Sequence, residues 1–181
     1  MSAKQGKTRK LITAAVFAAL ILVTTLIKIP VPSMTEGYVN LGDCFVLLAG
    51  LLLGPLWGGL AAAVGSALTD LILGYPIYAP ATFLIKWLMA LTAFYLCRLL
   101  SKAKTPLALN SVISAVAGEA VMIGGYFLYE LPLYGAAAVA SIFGNTVQAV
   151  FGAAAAVVLY VIIRSNKQLR NLTGGFYDSK K

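Results

Sequence analysis

How many times this chain crosses a membrane depends on Asn40-Leu41-Gly42-Asp43-Cys44-Phe45-Val46-Leu47-Leu48-Ala49-Gly50-Leu51-Leu52-Leu53-Gly54-Pro55-Leu56-Trp57-Gly58-Gly59. Read as one helix running through Gly54-Pro55, it gives a five-span protein. Read as a short crossing, residues 41–53, followed by a second at 56–73, it gives six. Lys4, Lys7, Arg9 and Lys10 precede the first apolar run, Arg98, Lys102 and Lys104 fill one connection, and Arg164, Lys167, Arg170, Lys180 and Lys181 follow the last run. Basic residues collect on the cytoplasmic side of membrane proteins, and only six spans bring these three clusters to one side. The expectation is therefore an all-α integral membrane protein, a six-transmembrane-helix bundle with both termini cytoplasmic.

Composition supports that class. Of 181 residues 60% are hydrophobic and 11% charged, whereas a soluble domain carries about 25% charged residues. The net charge of +8 is gathered in the three clusters rather than spread over one face, which argues against a nucleic-acid partner. With no histidine and two cysteines, Cys44 and Cys97, the chain lacks a metal-ligand cluster, and six spans place those cysteines near opposite faces, too far apart for a disulfide. No cofactor is expected. No G-x-x-x-x-G-K-[ST] loop is present, so ATP hydrolysis would belong to a partner.

Outward from the deciding stretch, residues 1–10 read as a frayed basic N-terminus, 11–164 as the membrane domain and 165–181 as a cytoplasmic tail. Residues 11–29 span about 30 Å of hydrocarbon and are read as a retained first span rather than a cleaved leader. That span carries Ala14/Ala18 and Ala15/Ala19, small residues four apart that let a second helix approach closely, inside this chain or from a partner. Lys28 sits at its far end, able to snorkel. Pro30 and Pro32 stop the helix, and residues 30–42 form an outer loop with Glu36, Tyr38 and Asn40. The short second segment calls for compensation by loop packing or local thinning of the bilayer.

The third span sets Gly58, Ala62 and Ser66 in a row that ends at Asp70. The fourth, 81–100, holds Lys86 about one and a half turns inside its outer end, either in a pocket or snorkelling outward; Trp87 beside it belongs to an aromatic belt or a pocket wall. In the fifth, 109–131, Glu119, Met122, Tyr126 and Tyr129 or Glu130 share one face, and Pro132 with Gly135 makes the next turn. Asn145 and Gln148 share a face of the sixth, 136–163. Charges inside membrane segments are costly and mark functional sites. Asp43 and Asp70 either pair with Lys86 or touch a ligand. The polar residues fall in the outer half of the bundle, which suggests an outward-facing cavity for a small, planar, polar ligand.

The alanine pairs of the first span, Tyr38-Val39-Asn40-Leu41-Gly42-Asp43, Leu53-Gly54-Pro55 with Gly58-Gly59, and Tyr78-Ala79-Pro80-Ala81-Thr82-Phe83-Leu84-Ile85-Lys86 resemble the substrate-binding S components of energy-coupling factor (ECF) vitamin transporters, the riboflavin type above all. The resemblance covers roughly residues 10–165. It implies a six-helix S-component fold in a bacterial-type plasma membrane, with a vitamin bound near the outer face. It also implies docking of Ala14, Ala15, Ala18 and Ala19 on a transmembrane coupling subunit that carries two ABC ATPases. Riboflavin is the first choice of substrate, followed by hydroxymethylpyrimidine or a pyridoxine-like vitamer. Candidate ligand contacts are Asn40, Tyr78, Lys86, Trp87, Glu119, Tyr126, Tyr129, Asn145 and Gln148. The alternatives are a stand-alone ion-coupled carrier and a non-transporting membrane scaffold.

Overall fold

The computed structural model describes residues 3–27, 29–30 and 38–169. Five helical elements follow one another: α1 (Ala3–Leu26), α2 (Gly42–Ile72), α3 (Ala79–Lys102), α4 (Leu107–Tyr134) and α5 (Val139–Ser165), with a 3-10 turn at Gly135–Ala138. Two two-residue strands, β1 (Ile29–Pro30) and β2 (Tyr38–Val39), pair antiparallel between α1 and α2. Lys28, expected to snorkel at the end of the first span, Glu36 with most of the outer loop, and the tail from 170 onward lie outside the described residues.

Helix α2 is where the two readings of the sequence part. Gly54 has φ +83° and ψ −177°, a region essentially reserved for glycine, and Pro55 follows with a φ suited to starting a new helix. Residues 42–53 and 55–72 are thus two arms on either side of a break. In a continuous helix Ala49 and Gly58 would stand about 13 Å apart. Instead a Cβ built on Gly58 would lie 2.1 Å from the Ala49 carbonyl oxygen. The arms fold back on each other, and only hydrogen fits between them at that point.

The first arm is the axis of the bundle. All of its residues from 42 to 53 are buried except Phe45, the pattern of a helix apolar all round. It meets α1 where Gly42 faces Thr25, α3 where Gly50 lies on Ala90, α4 where Leu47 lies against Gly118, and α5 where Asp43 and Cys44 face Gly152. This changes the expectation for the short second segment. It needs no bilayer thinning, because protein surrounds it and irregular backbone at membrane depth is tolerated where protein covers it.

Outward faces are apolar: Ile12, Ile72, Leu99, Leu128, Val150 and Ile162 are each more than half exposed, a surface suited to lipid rather than water. Four helical stretches among the described residues are long and apolar enough to cross a membrane, namely Gly6–Leu26, Gly42–Ile72, Ala79–Lys102 and Leu107–Ser165. The second is folded in two at Gly54, and the fourth contains both α4 and α5.

Two boundaries differ from expectation. Helix α1 begins at Ala3, so Lys7, Arg9 and Lys10 belong to its first turns rather than to a frayed end. Helix α4 continues through Pro132 and stops at Gly135, whose φ is +58°. Proline in a last turn forfeits one hydrogen bond without ending the helix, and the extra turn carries Tyr134 to the rim of the site.

Candidate functional site

The site is built around a polar chain that ties four segments together. Asn40 precedes the first turn of α2, and its Oδ1 accepts a hydrogen bond from the Gly42 backbone N–H at 2.9 Å. Its Nδ2 donates to Gln148 Oε1 of α5 at 2.9 Å, and Gln148 Nε2 donates to Asp43 Oδ2 at 2.7 Å. The remaining Asp43 oxygen forms an ion pair with the Lys86 ammonium of α3. A carboxylate only accepts, so Asp43 sets the orientation of the Gln148 amide, and Gln148 in turn sets that of Asn40. Asp43 also lies in the first turn of α2, where the helix dipole favours an anion.

All four side chains are buried. Two charges out of water need each other and further hydrogen bonds, and this arrangement supplies both. Lys86 is 5% exposed and does not snorkel; its Nζ also lies 5.5 Å from the centre of the Tyr126 ring, a cation–π distance. Asp43 and Lys86 pair with each other, and both also line the cavity. Asp70 takes no part in that pair, and its Oδ2 is buried without a hydrogen-bond partner among the described residues.

Above this chain opens a cavity of about 810 Å³, within the range of small-molecule sites. Eight of the expected residues line it: Asn40, Asp43, Asp70, Tyr78, Lys86, Tyr126, Asn145 and Gln148. Ser66 and Asp70 form one wall, Thr82 and Tyr126 a second, and the small residues from Ala137 to Gly144 a third. The Thr82 and Tyr126 hydroxyls share a hydrogen bond of 3.0 Å. At the rim, the Tyr78 hydroxyl lies 3.3 Å from Glu130 Oε1 and 3.3 Å from the Tyr134 hydroxyl. Burial, with Tyr134 and Glu130 alongside, holds the Tyr78 phenol above its usual range, so it remains a neutral donor.

Three expected contacts lie elsewhere. Trp87 is not among the lining residues; its ring lies where a Cβ on Gly59 would sit, 2.3 Å from Cδ1, and meets Phe83 edge-on at 6.0 Å. Neighbouring residues on a helix point about 100° apart, and here Lys86 turns to the cavity while Trp87 turns to Gly59. Tyr129 stands behind Tyr78, its ring 5.5 Å away and its hydroxyl donating to the Ile77 carbonyl. Glu119 lies below the floor, 3% exposed, beside Asp43 at Gly152. Neither of its carboxyl oxygens has a partner among the described residues.

Thr25, Ser66, Thr82, Tyr134 and Ser141 also line the cavity without having been singled out as ligand contacts. Ser66 stood in the row ending at Asp70, one turn away; the hydroxyls of Thr25, Thr82 and Ser141 carry no sequence signal that separates them from ordinary helix residues. Among the described residues no cluster suits a metal ion, and Cys44 and Cys97 are both free thiols.

The alanine pairs divide. Ala14 is 7% exposed, and Ala18 packs against α2, its carbonyl oxygen 2.6 Å from a Cβ built on Gly65. Ala15 and Ala19 are exposed.

A family profile for ECF-type riboflavin transporter S components matches residues 5–165. An "uncharacterized protein in gap 3'region" of Pyrococcus woesei is 40% identical over 135 residues, 74% of this chain and 86% of that protein. Among solved structures, the S component of a bacterial ECF transporter is 25% identical with a TM-score of 0.68, covering 88% of this chain and 97% of that one. ThiT from Listeria monocytogenes is 16% identical, with a TM-score of 0.67 over 90% of this chain and 97% of its own. The S component for biotin from an ECF-type ABC transporter is 21% identical, with a TM-score of 0.64 over 95% and 94%. The last two likenesses are likenesses of fold.

Proposed function

The chain belongs to the family of ECF-type riboflavin transporter S components, and from that premise we propose that it captures riboflavin in the cavity above the Lys86–Asp43 pair. Hydroxymethylpyrimidine and pyridoxine-like vitamers are the next candidates. The family is that of a transporter's substrate-binding subunit rather than an enzyme. The observation that carries the reading is the cavity itself: hydrogen-bonding groups and Tyr78 and Tyr126 surround a space of about 810 Å³, closed below by a fully paired polar chain.

In this reading the two arms of α2 cross separately and the chain crosses six times in a plasma membrane of bacterial type. Lys7, Lys104 and Lys167 then share the cytoplasmic side with both termini, and the cavity opens to the outside. Asn40 couples the segment before α2 to the floor. A transmembrane coupling subunit with two ABC ATPases supplies the energy.

Docking to that subunit falls to Ala15 and Ala19, since Ala14 and Ala18 are engaged within the chain. Small residues four apart on an exposed face admit a close helix crossing. Ala15→Trp with Ala19→Trp is expected to cut ATP-driven uptake by proteoliposomes containing the coupling subunit and ATPases at least tenfold, with vitamin binding to the isolated protein unchanged. Uptake at the wild-type rate would remove the docking role.

The ion-coupled carrier has one observation in its favour, the unpartnered buried Glu119 carboxyl. It requires uptake without ATPases that stops when an ionophore collapses the gradient.

A further inference from the structure

Two polar atoms on one wall of the cavity, Ser66 Oγ and Asp70 Oδ2, have no hydrogen-bond partner among the described residues, although the Asp70 carboxyl also bonds the Thr82 side chain. Ser66 is 3% exposed, lines the cavity, and its hydroxyl oxygen is buried without a hydrogen bond among the described residues; so is Asp70 Oδ2, one helical turn away. Buried polar atoms are nearly always satisfied, and those that are not mark the place of a missing partner. The floor has no such vacancy, because each oxygen of Asp43 is already engaged.

Charge narrows what the partner is. The lining residues include three carboxyl side chains, Asp43, Asp70 and Glu130, and one cation, Lys86. Lys86 is paired with Asp43, so the lining carries two more carboxyl groups than cations, Asp70 and Glu130, with no ion pair of their own among the described residues. A ligand anion placed there would be repelled in a low-dielectric site, whereas an N–H or O–H donor would complete Asp70 and give Ser66 a bonding partner.

We infer that the Asp70–Ser66 wall is the specificity-determining subsite, and that it selects an uncharged or cationic ligand presenting N–H or O–H donors and rejects the phosphate ester of the same ligand. This inference rests on the vitamin-binding reading given above. Asp70 accepts from the ligand, and Ser66 either donates or accepts beside it. The Lys86–Asp43 chain shapes the floor without acting as an anion receptor.

The test uses the purified full chain, with riboflavin and riboflavin 5′-phosphate followed by quenching of flavin fluorescence. Wild type is expected to bind riboflavin at least about a hundredfold more tightly than its phosphate ester. Asp70→Asn should weaken riboflavin binding about ten- to a hundredfold, the loss of a hydrogen bond to a charged acceptor, and should narrow the gap to the ester about tenfold. Ser66→Ala should weaken binding severalfold.

Equal affinity of wild type for the ester, or riboflavin affinity and ester ratio both unchanged in Asp70→Asn, would overturn the inference while leaving vitamin binding intact. Thermal unfolding checks each variant; if Asp70→Asn does not fold, the wild-type ester ratio and Ser66→Ala decide by the same criteria. If riboflavin itself does not bind, calorimetry with pyridoxine and hydroxymethylpyrimidine and their phosphate esters applies those criteria to whichever binds. Binding of none of the six overturns the vitamin reading, and this inference falls with it.

Discussion

Lys86→Met is expected to destabilise the protein by about 3–5 kcal/mol, the cost of leaving a buried carboxylate without its counter-ion. Asp43 is 1% exposed, and among the described residues Gln148 would then be its one side-chain hydrogen-bond partner. The companion change Asp43→Asn removes that charge, so the double variant should recover most of the lost stability, with a coupling energy above about 2 kcal/mol in the double-mutant cycle. Vitamin binding should not recover, because the Gln148 amide loses the carboxylate that orients it, and Asn40 loses its partner in turn. Denaturant unfolding in detergent, followed by tryptophan fluorescence, measures the cycle. Wild-type stability in Lys86→Met alone would mean that the pair is not the buried keystone of the floor.

The second large effect belongs to the fold-back of α2. Gly58→Leu should cost about 3 kcal/mol or more, at the upper end for overpacking. A side chain at 58 runs into the Ala49 carbonyl, which is backbone and cannot swing aside. Gly54→Ala should cost about 1–3 kcal/mol through its backbone conformation alone. The two readings of the sequence make opposite forecasts here. A straight helix over 42–72 would keep residues 49 and 58 about two and a half turns apart and would accept leucine without loss. Detergent-solubilised yield and unfolding midpoint of Gly58→Leu therefore distinguish a folded hairpin from a single long helix.

These two regions also show what the sequence could and could not convey. Helix extents were readable from apolar runs bounded by proline and glycine, and Gly54-Pro55 together with the basic clusters pointed to a break inside α2. Individual members of the polar chain were readable too, since Asp43 and Lys86 are charges inside apolar runs. That Asp43 or Asp70 pairs with Lys86 was one of the alternatives, but which acid does so, and the link to Gln148, was not readable, because nothing local links residues 43, 86 and 148; only packing around the first arm of α2 brings them together.

Helical phase and depth account for where Trp87 and Glu119 lie. Trp87 follows Lys86 by about 100° and so faces Gly59. Glu119 shares a face with Tyr126 but lies two turns, about 10 Å, deeper, below the cavity rather than on its wall. The alanine pairs Ala14/Ala18 and Ala15/Ala19 are likewise one residue out of phase. Which pair turns inward was decided by Gly65 on α2, a residue that spacing within α1 cannot reveal. The short second segment was read as a mismatch with the bilayer because its burial by other helices is a tertiary fact.

The central claim is that this S component holds a B-vitamin-class molecule in the cavity between the Lys86–Asp43 floor and the Tyr78–Tyr134 rim. Gentle purification followed by mass spectrometry of the released small molecules, with equilibrium titration of the emptied protein, addresses it directly. The account predicts a single vitamin at close to one molecule per chain, riboflavin giving a yellow preparation, with binding lost in Gln148→Leu while the protein stays folded. A preparation that carries no vitamin and binds none of riboflavin, hydroxymethylpyrimidine or pyridoxine on titration would contradict it.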